Sequence, residues 1–233
     1  MKKKVGIIGH FGFGKEFLDG QTVKTKTLAK ELKNIFGDEQ IILCDTHNSL
    51  KFLVTLLFTG IRLLQLCDNI IILPAHNGIR IIAPLLCCLN FFFLKKLHYV
   101  VIGGWLPKLL LHNKTLSYCL SRFAGIYVET KSLQDKMYAV GFNNVYIMPN
   151  SKELTTVSLS QSNNNNIQTL PMKLCIFSRI MKQKGIEDAV NVIIGINKDE
   201  DKTIYTLDIY GQIDRHVHEW FHKLKDNFPP YIS

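Results

Sequence analysis

The stretch CIFSRIMKQKGIEDAV, residues 175–190, joins two unlike patterns. An apolar run, Leu174–Phe177, ends in Ser178-Arg179. Lys182, Lys184 and Gly185 follow, and then Ile186, Ala189, Val190 and Ile193 recur at spacings of three, four and seven, as on one helix face. A strand, a cationic turn and a helix are expected in that order. A helix start favours anions through its free N–H groups and its dipole. Arg179, Lys182 and Lys184 add full positive charge there, which suits a phosphate. A solvated basic turn is the other reading of the same residues.

A second candidate is GHFGFGKEFLDGQTVKT, residues 9–25, just past a predicted first strand at Val5–Ile8. Glycines there let backbone approach a ligand, and loops at the C-terminal ends of strands are where open α/β sheets bind ligands. The spacing of Gly9, Gly12 and Gly14 is not that of a dinucleotide-binding turn. Asp45, the residue available for a ribose, comes 31 positions after Gly14, not about 20. Gly14-Lys15 is followed by Glu16, which argues against a nucleotide-hydrolysing P-loop. Two further residues belong to the same predicted edge. His76 follows the strand Asn69–Leu73 and suits a polar ligand contact, a general base or a structural role. Trp105, after Gly103-Gly104, suits stacking on a sugar ring, a pocket wall or plain packing.

The elements that must carry these residues alternate. Strands are expected at Val5–Ile8, Gln40–Cys44, Asn69–Leu73, His98–Ile102, Gly125–Glu129 and Asn144–Met148. Helices are expected at Thr22–Phe36, Ser49–Leu66, Gly78–Leu89, Leu109–Leu120 and Ser132–Val140. On the first helix the apolar positions are Val23, Leu28, Leu32, Ile35 and Phe36. This is the pattern of a doubly wound α/β domain over residues 1–150. Residues 151–171 are polar, with four consecutive asparagines, and read as a linker or surface loop. From 172 to 233 the alternation restarts: strand Met172–Ser178, helix Gly185–Ile196, strand Tyr205–Tyr210, helix Asp214–Lys225. Two strands cannot make a sheet covered on both faces, so this second domain is expected to be incomplete.

Composition limits the function. Of the net +9, all comes from residues 1–150, with 18 Lys/Arg against 9 Asp/Glu; residues 151–233 hold 10 of each. An anionic partner, membrane surface or nucleic acid, fits such a domain, as does a merely soluble surface. No nucleic-acid recognition motif is present, and the cations are scattered, so nucleic acid is set aside. The apolar stretches Phe52–Leu66 and Ile81–Leu94 fall short of the ~20 residues that span a bilayer. Buried helices are the first reading and shallow membrane contact the sharper one. The six cysteines form no Cys-x-x-Cys pair; they read as reduced core residues of a cytoplasmic protein, with no metal site.

Four segments in order resemble family 4 glycosyltransferases: the N-terminal glycine-rich loop, VETKSLQDKMYAVGFNNVYIMPNSKE (128–153), FSRIMKQKGIEDAV (177–190) and LDIYGQI (207–213). The resemblance implies a GT-B-like α/β fold with two Rossmann-like, doubly wound domains. Domain 1–150 would bind the acceptor and 172–233 would begin the nucleotide-sugar domain. Arg179 and Lys184, with Gly14, would hold the donor diphosphate. Gly12, His76, Gly103, Gly104 and Trp105 would line the acceptor side of the cleft. It implies retaining transfer of a sugar from a nucleotide-sugar to a lipid-linked or saccharide acceptor in surface-polysaccharide synthesis, at the inner membrane face, with the nucleotide-sugar as substrate and no cofactor. Two departures stand out. Gly103-Gly104 replaces the family's His-Gly, so a catalytic histidine at that position is not carried over and the catalytic residue stays unassigned. The family's Glu-x7-Glu pair is absent, and the chain is therefore expected to be a fragment. A non-catalytic acceptor- or membrane-binding module is the alternative.

Overall fold

A computed structural model describes residues 4–14, 20–46, 52–151 and 170–233. The chain divides into two compact units, Met1–Thr155 and Thr156–Ser233. The expected linker falls mostly outside the described residues, as do Lys15, Glu16 and the first residues of the second predicted helix.

In the first unit, six parallel strands form one sheet: β1 (Val5–Gly9), β2 (Ile41–Asp45), β3 (Asn69–Leu73), β4 (Lys96–Val100), β5 (Gly125–Val128) and β6 (Val145–Ile147). Their order is β2-β1-β3-β4-β5-β6. Residue Ile7 pairs with Leu43 on one side and Ile71 on the other. The order reverses at β1, which places a crevice at the C-terminal ends of β1 and β3. Helix α1 (Gly20–Phe36) packs with Val5, Ile7, Ile41 and Val100 on one face. The other face carries α2 (Phe52–Leu66), α3 (His76–Asn90), α4 (Leu106–Leu111), α5 (Lys114–Ser121) and α6 (Lys131–Ala139). Strand residues Ile8, Ile70, Ile72, Tyr99 and Ile126 are fully buried there. Each such side chain contributes about 1.5–3 kcal/mol of transfer free energy.

Three expectations are corrected. The single helix predicted at Leu109–Leu120 is two helices, α4 and α5, because the Asn113 side chain accepts the Leu116 N–H at 2.9 Å and starts a new helix. Along α1 the buried positions are Thr22, Thr25 and Ala29, while Val23, Ile35 and Phe36 are exposed. Small side chains are needed there because α1 presses on β1: a Cβ at Gly9 would meet the Thr25 methyl at 2.7 Å. Finally, not every cysteine is a core residue. Cys44, Cys67 and Cys119 are buried, but Cys88 and Cys175 are exposed, the latter on a strand with little cover.

In the second unit β7 (Met172–Phe177) and β8 (Tyr205–Tyr210) pair in parallel. Val190 and Ile193 of α7 (Ile186–Asp199) pack on Leu207 and Ile232, and Phe221 of α8 (His218–Lys225) packs on Ile180 and Ile186. The chain after Pro230 runs beside β8, where Leu207 N–H donates to the Tyr231 carbonyl at 3.0 Å. Asn197, buried at the end of α7, accepts from the N–H groups of Ile204 and Tyr205 and fixes the entry to β8. The opposite sheet face leaves Phe177 and Tyr210 exposed.

Candidate functional site

The cationic turn is built as the residue pattern requires. After β7, Ile180 bridges to Ile213, and Ser178 N–H donates to the Tyr210 carbonyl at 3.1 Å. Residues Lys182–Lys184 form one 3-10 turn, and Gly185 takes the left-handed conformation (φ 68°) that lets α7 start abruptly. No side chain caps that helix start. The loop after β8, Gly211–Asp214, lies alongside. A Cβ on Gly211 would overlap the Ser178 carbonyl, so only glycine admits this approach.

Here Arg179 Nη1 stands 3.8 Å from Asp214 Oδ2, and the two line a small pocket of about 180 Å³ with Gln212 and Ile213. Asp214 Oδ1 accepts the His216 N–H, which holds the carboxylate in place. Lys182 Nζ sits 5.7 Å from the Trp220 ring, and Trp220 Nε1 donates to Glu187. Lys184 is exposed and makes no ion pair among the described residues. The turn therefore offers one guanidinium, half exposed, and one lysine to an anion.

In the first unit the glycine-rich loop is latched by Asp45. Its carboxylate accepts the N–H of Phe11 at 2.9 Å and of Phe13 at 3.0 Å. Gly12 and Gly14 have φ of 61° and 81°, which lets the chain fold over that carboxylate. Asp45 thus positions the loop; both its oxygens are engaged. His10 and Thr22 are hydrogen-bonded at 2.6 Å, and Gln21 donates to the Leu73 carbonyl across the crevice.

On the β3 side, His76 and Trp105 meet edge to face, ring centres 4.9 Å apart. Arg80 Nη2 lies 3.2 Å from His76 Nε2, and Asn77 Oδ1 lies 3.2 Å from Nδ1. Arginine only donates, so Nε2 accepts and Nδ1 carries the proton. The basic nitrogen of His76 is thereby occupied. Trp105 donates its indole N–H to the Ile102 carbonyl at 2.7 Å, closing the turn in which Gly103 has φ 82°. Gly104 has open space at its Cα. The structure therefore joins His76, Gly103 and Trp105 in one corner; Gly12 and Gly14 belong to the neighbouring loop on the same sheet edge. Arg179 and Lys184 lie together in the other unit.

Besides the Asp45 latch and the Arg80–His76 contact, a half-hidden ion pair at this edge has no signal in the sequence. Lys24 Nζ, 11% exposed, pairs with Glu129 Oε1 at 2.7 Å and donates to the Val101 carbonyl. It ties α1 to the ends of β4 and β5. The partners are 105 residues apart, and no local spacing announces them. Among the described residues no three His, Cys, Asp or Glu side chains cluster closely enough to hold a metal ion.

No protein-family model matches the sequence, and no curated protein does. Solved structures do share its architecture. A lipopolysaccharide outer core galactosyltransferase, WaaB, aligns with TM-score 0.60 at 11% identity over 99% of this chain and 67% of its own. A Listeria monocytogenes protein described as a UDP-N-acetylglucosamine 2-epimerase aligns with TM-score 0.54 at 13% identity, covering 100% and 68%. TarM of S. aureus, solved with UDP and a glycosylated glycerol, aligns with TM-score 0.50 at 14% identity over 78% of this chain and 36% of its own. These likenesses concern the fold: the chain is built of the Rossmann-like α/β units of GT-B proteins.

Proposed function

We propose that the protein is a nucleotide-sugar-dependent glycosyltransferase of family 4, retaining in stereochemistry. It transfers a sugar to a lipid-linked or saccharide acceptor in cell-surface polysaccharide synthesis. The observation that carries this reading is the cationic turn Arg179–Lys184, opening onto α7 beside the Gly211–Asp214 loop. As the glycosidic bond breaks, negative charge grows on the departing nucleoside diphosphate. Arg179, Lys184 and the uncapped helix start would hold that charge more strongly than the ground state, without a cofactor. Gly14 and its loop are assigned to the donor diphosphate by the resemblance, and Gly12, His76, Gly103, Gly104 and Trp105 to the acceptor side. With Nε2 taken by Arg80 and Nδ1–H by Asn77, His76 is better suited to shaping the acceptor side than to removing a proton. The basic first unit is proposed to work peripherally at a membrane surface; no helix among the described residues is long and apolar enough to cross one.

The test offers the protein radiolabelled UDP-, GDP-, ADP- and dTDP-hexoses with lipid-linked saccharide acceptors. Label entering the lipid phase, with release of the nucleoside diphosphate, is expected. Binding of acceptor without transfer from any donor would favour the second reading, a non-catalytic acceptor-binding module.

A further inference from the structure

We infer that the turn between α3 and β4 inserts into the surface of an anionic lipid bilayer. Phe91, Phe92 and Leu94 are 77%, 78% and 85% exposed, side by side at the end of one helix. This is not a fraying terminus. The Asn90 side chain accepts the Lys95 N–H and donates to the Lys95 carbonyl, both at 2.8 Å, so the turn is clamped at its base. Phe93 turns back to pack on the core. Leu94 is held at φ 53°, a backbone conformation that is strained for a leucine and natural for glycine or asparagine. An aqueous loop gains nothing from that choice; an apolar anchor does.

The surroundings specify the partner. Beside the turn is an open groove of about 810 Å³, lined by Phe91, Phe92, Leu94, Cys88, Tyr118 and Arg122. Arg122 lies 4.8 Å over the Tyr118 ring, a cation held at the rim of an apolar surface. Lys95 and Lys96 follow the turn directly and Arg122 stands on the groove, while the sequence from residue 69 to 128 contains no Asp or Glu. Only Asp68, next to this stretch, reaches back to Lys95 at 3.4 Å. Clustered exposed aromatics with a cationic surround match the acyl boundary and phosphate layer of an anionic membrane. A second copy would bring like charges together, so self-association through this face is disfavoured. The turn lies at the N-terminal ends of β4 and β5, opposite the edge carrying Gly12 and His76. A bilayer bound there leaves those loops open to solvent.

The inference deepens the membrane contact proposed above but does not depend on sugar transfer. The full chain is sedimented with vesicles of phosphatidylcholine containing 30% phosphatidylglycerol (~0.3 mole fraction, enough to give the surface its negative potential), and with phosphatidylcholine alone. Binding to the anionic vesicles is expected, falling at least about tenfold in Phe91→Ser/Phe92→Ser and about fivefold for each charge removed in Lys95→Gln/Lys96→Gln. Circular dichroism confirms that the variants fold. Folded protein that ignores the vesicles, binds both compositions equally, or binds undiminished in Phe91→Ser/Phe92→Ser would overturn the inference. So would a dimer that the same double variant dissociates. Transfer activity is scored separately, so a failed transfer assay leaves the vesicle result standing.

Discussion

The guanidinium of Arg179 and the carboxylate of Asp214 stand 3.8 Å apart, within ion-pair range but beyond a hydrogen bond. Arg179 is half exposed. Asp214 therefore lowers the positive potential of the turn without fixing the guanidinium. Asp214→Asn keeps an oxygen for the His216 N–H and removes the charge. We predict that UDP binds this variant about two- to fivefold more tightly than the wild type, the range expected of an exposed pair. Titration calorimetry reads it, and weaker binding would show that Asp214 orients Arg179 instead.

Gly211 has no substitute in the loop facing Ser178. Alanine there would overlap the Ser178 carbonyl and push β8's loop from the cationic turn. Gly211→Ala should lower stability by about 2 kcal/mol or more, as overpacking at backbone does. Urea unfolding followed by Trp220 fluorescence measures it; an unchanged midpoint would show that the two loops are free to separate.

Asp45 holds the glycine-rich loop through two backbone donors. In Asp45→Ala the Phe11 and Phe13 N–H groups lose their acceptor, at a cost of about 1–3 kcal/mol for buried donors. Phe11 is buried and Phe13 exposed, so the lower half of that range is expected. Amide exchange at these two residues should accelerate in the variant. Equal protection in both proteins would contradict the latch.

Lys24 and Glu129 form the best-buried ion pair among the described residues. Lys24→Met alone leaves the Glu129 carboxylate without its partner and should cost about 2–3 kcal/mol. Adding Glu129→Gln should recover part of the loss, because the stranded charge is gone. Additive losses in the double variant would mean the pair has no coupling.

His98 supplies a pH dependence. Burial, and then Lys96, hold its pKa below the ordinary 6.5. Its neutral form is matched to its setting: Nε2 faces Asn69 Oδ1 at 3.2 Å and Nδ1 faces the Tyr127 hydroxyl at 3.3 Å. A folded-state pKa below the unfolded value means that the unfolded chain binds more protons in that window. Stability should thus fall as pH drops through 6.5 toward the folded pKa and should be level above it. His98→Gln should flatten this slope in thermal unfolding between about pH 5 and 7, a window that runs from roughly 1.5 units below the ordinary histidine value to roughly half a unit above it. An unchanged slope would assign it to other groups.

Much of the fold was legible because period and punctuation agreed. Asn69–Leu73 and Tyr205–Tyr210 are short β-rich runs with clear ends, and both are strands over those residues. The strand predicted at His98–Ile102 begins two residues earlier, at Lys96, because pairing with Asn69 fixes register and apolarity alone does not. Helix α1 was placed but its buried stripe was misread. Threonine is neutral in a hydrophobic count, yet Thr22 and Thr25 are fully buried, Thr25 directly against Gly9 of β1. The cationic turn was visible since strand, charge and helix are contiguous. The Asp45 latch, the Arg80–His76 contact and the Lys24–Glu129 pair were not, because each depends on which chain segments the sheet order brings together.

Whether the turn after β7 holds a diphosphate is decided by titrating UDP and inorganic pyrophosphate into the wild type, Arg179→Ala and Lys184→Ala. Saturable binding is expected, weakened by each substitution by about tenfold or more, the scale of a lost charge-assisted contact. Wild-type affinity in both variants, with the fold intact, would contradict it and leave the turn a solvated basic loop.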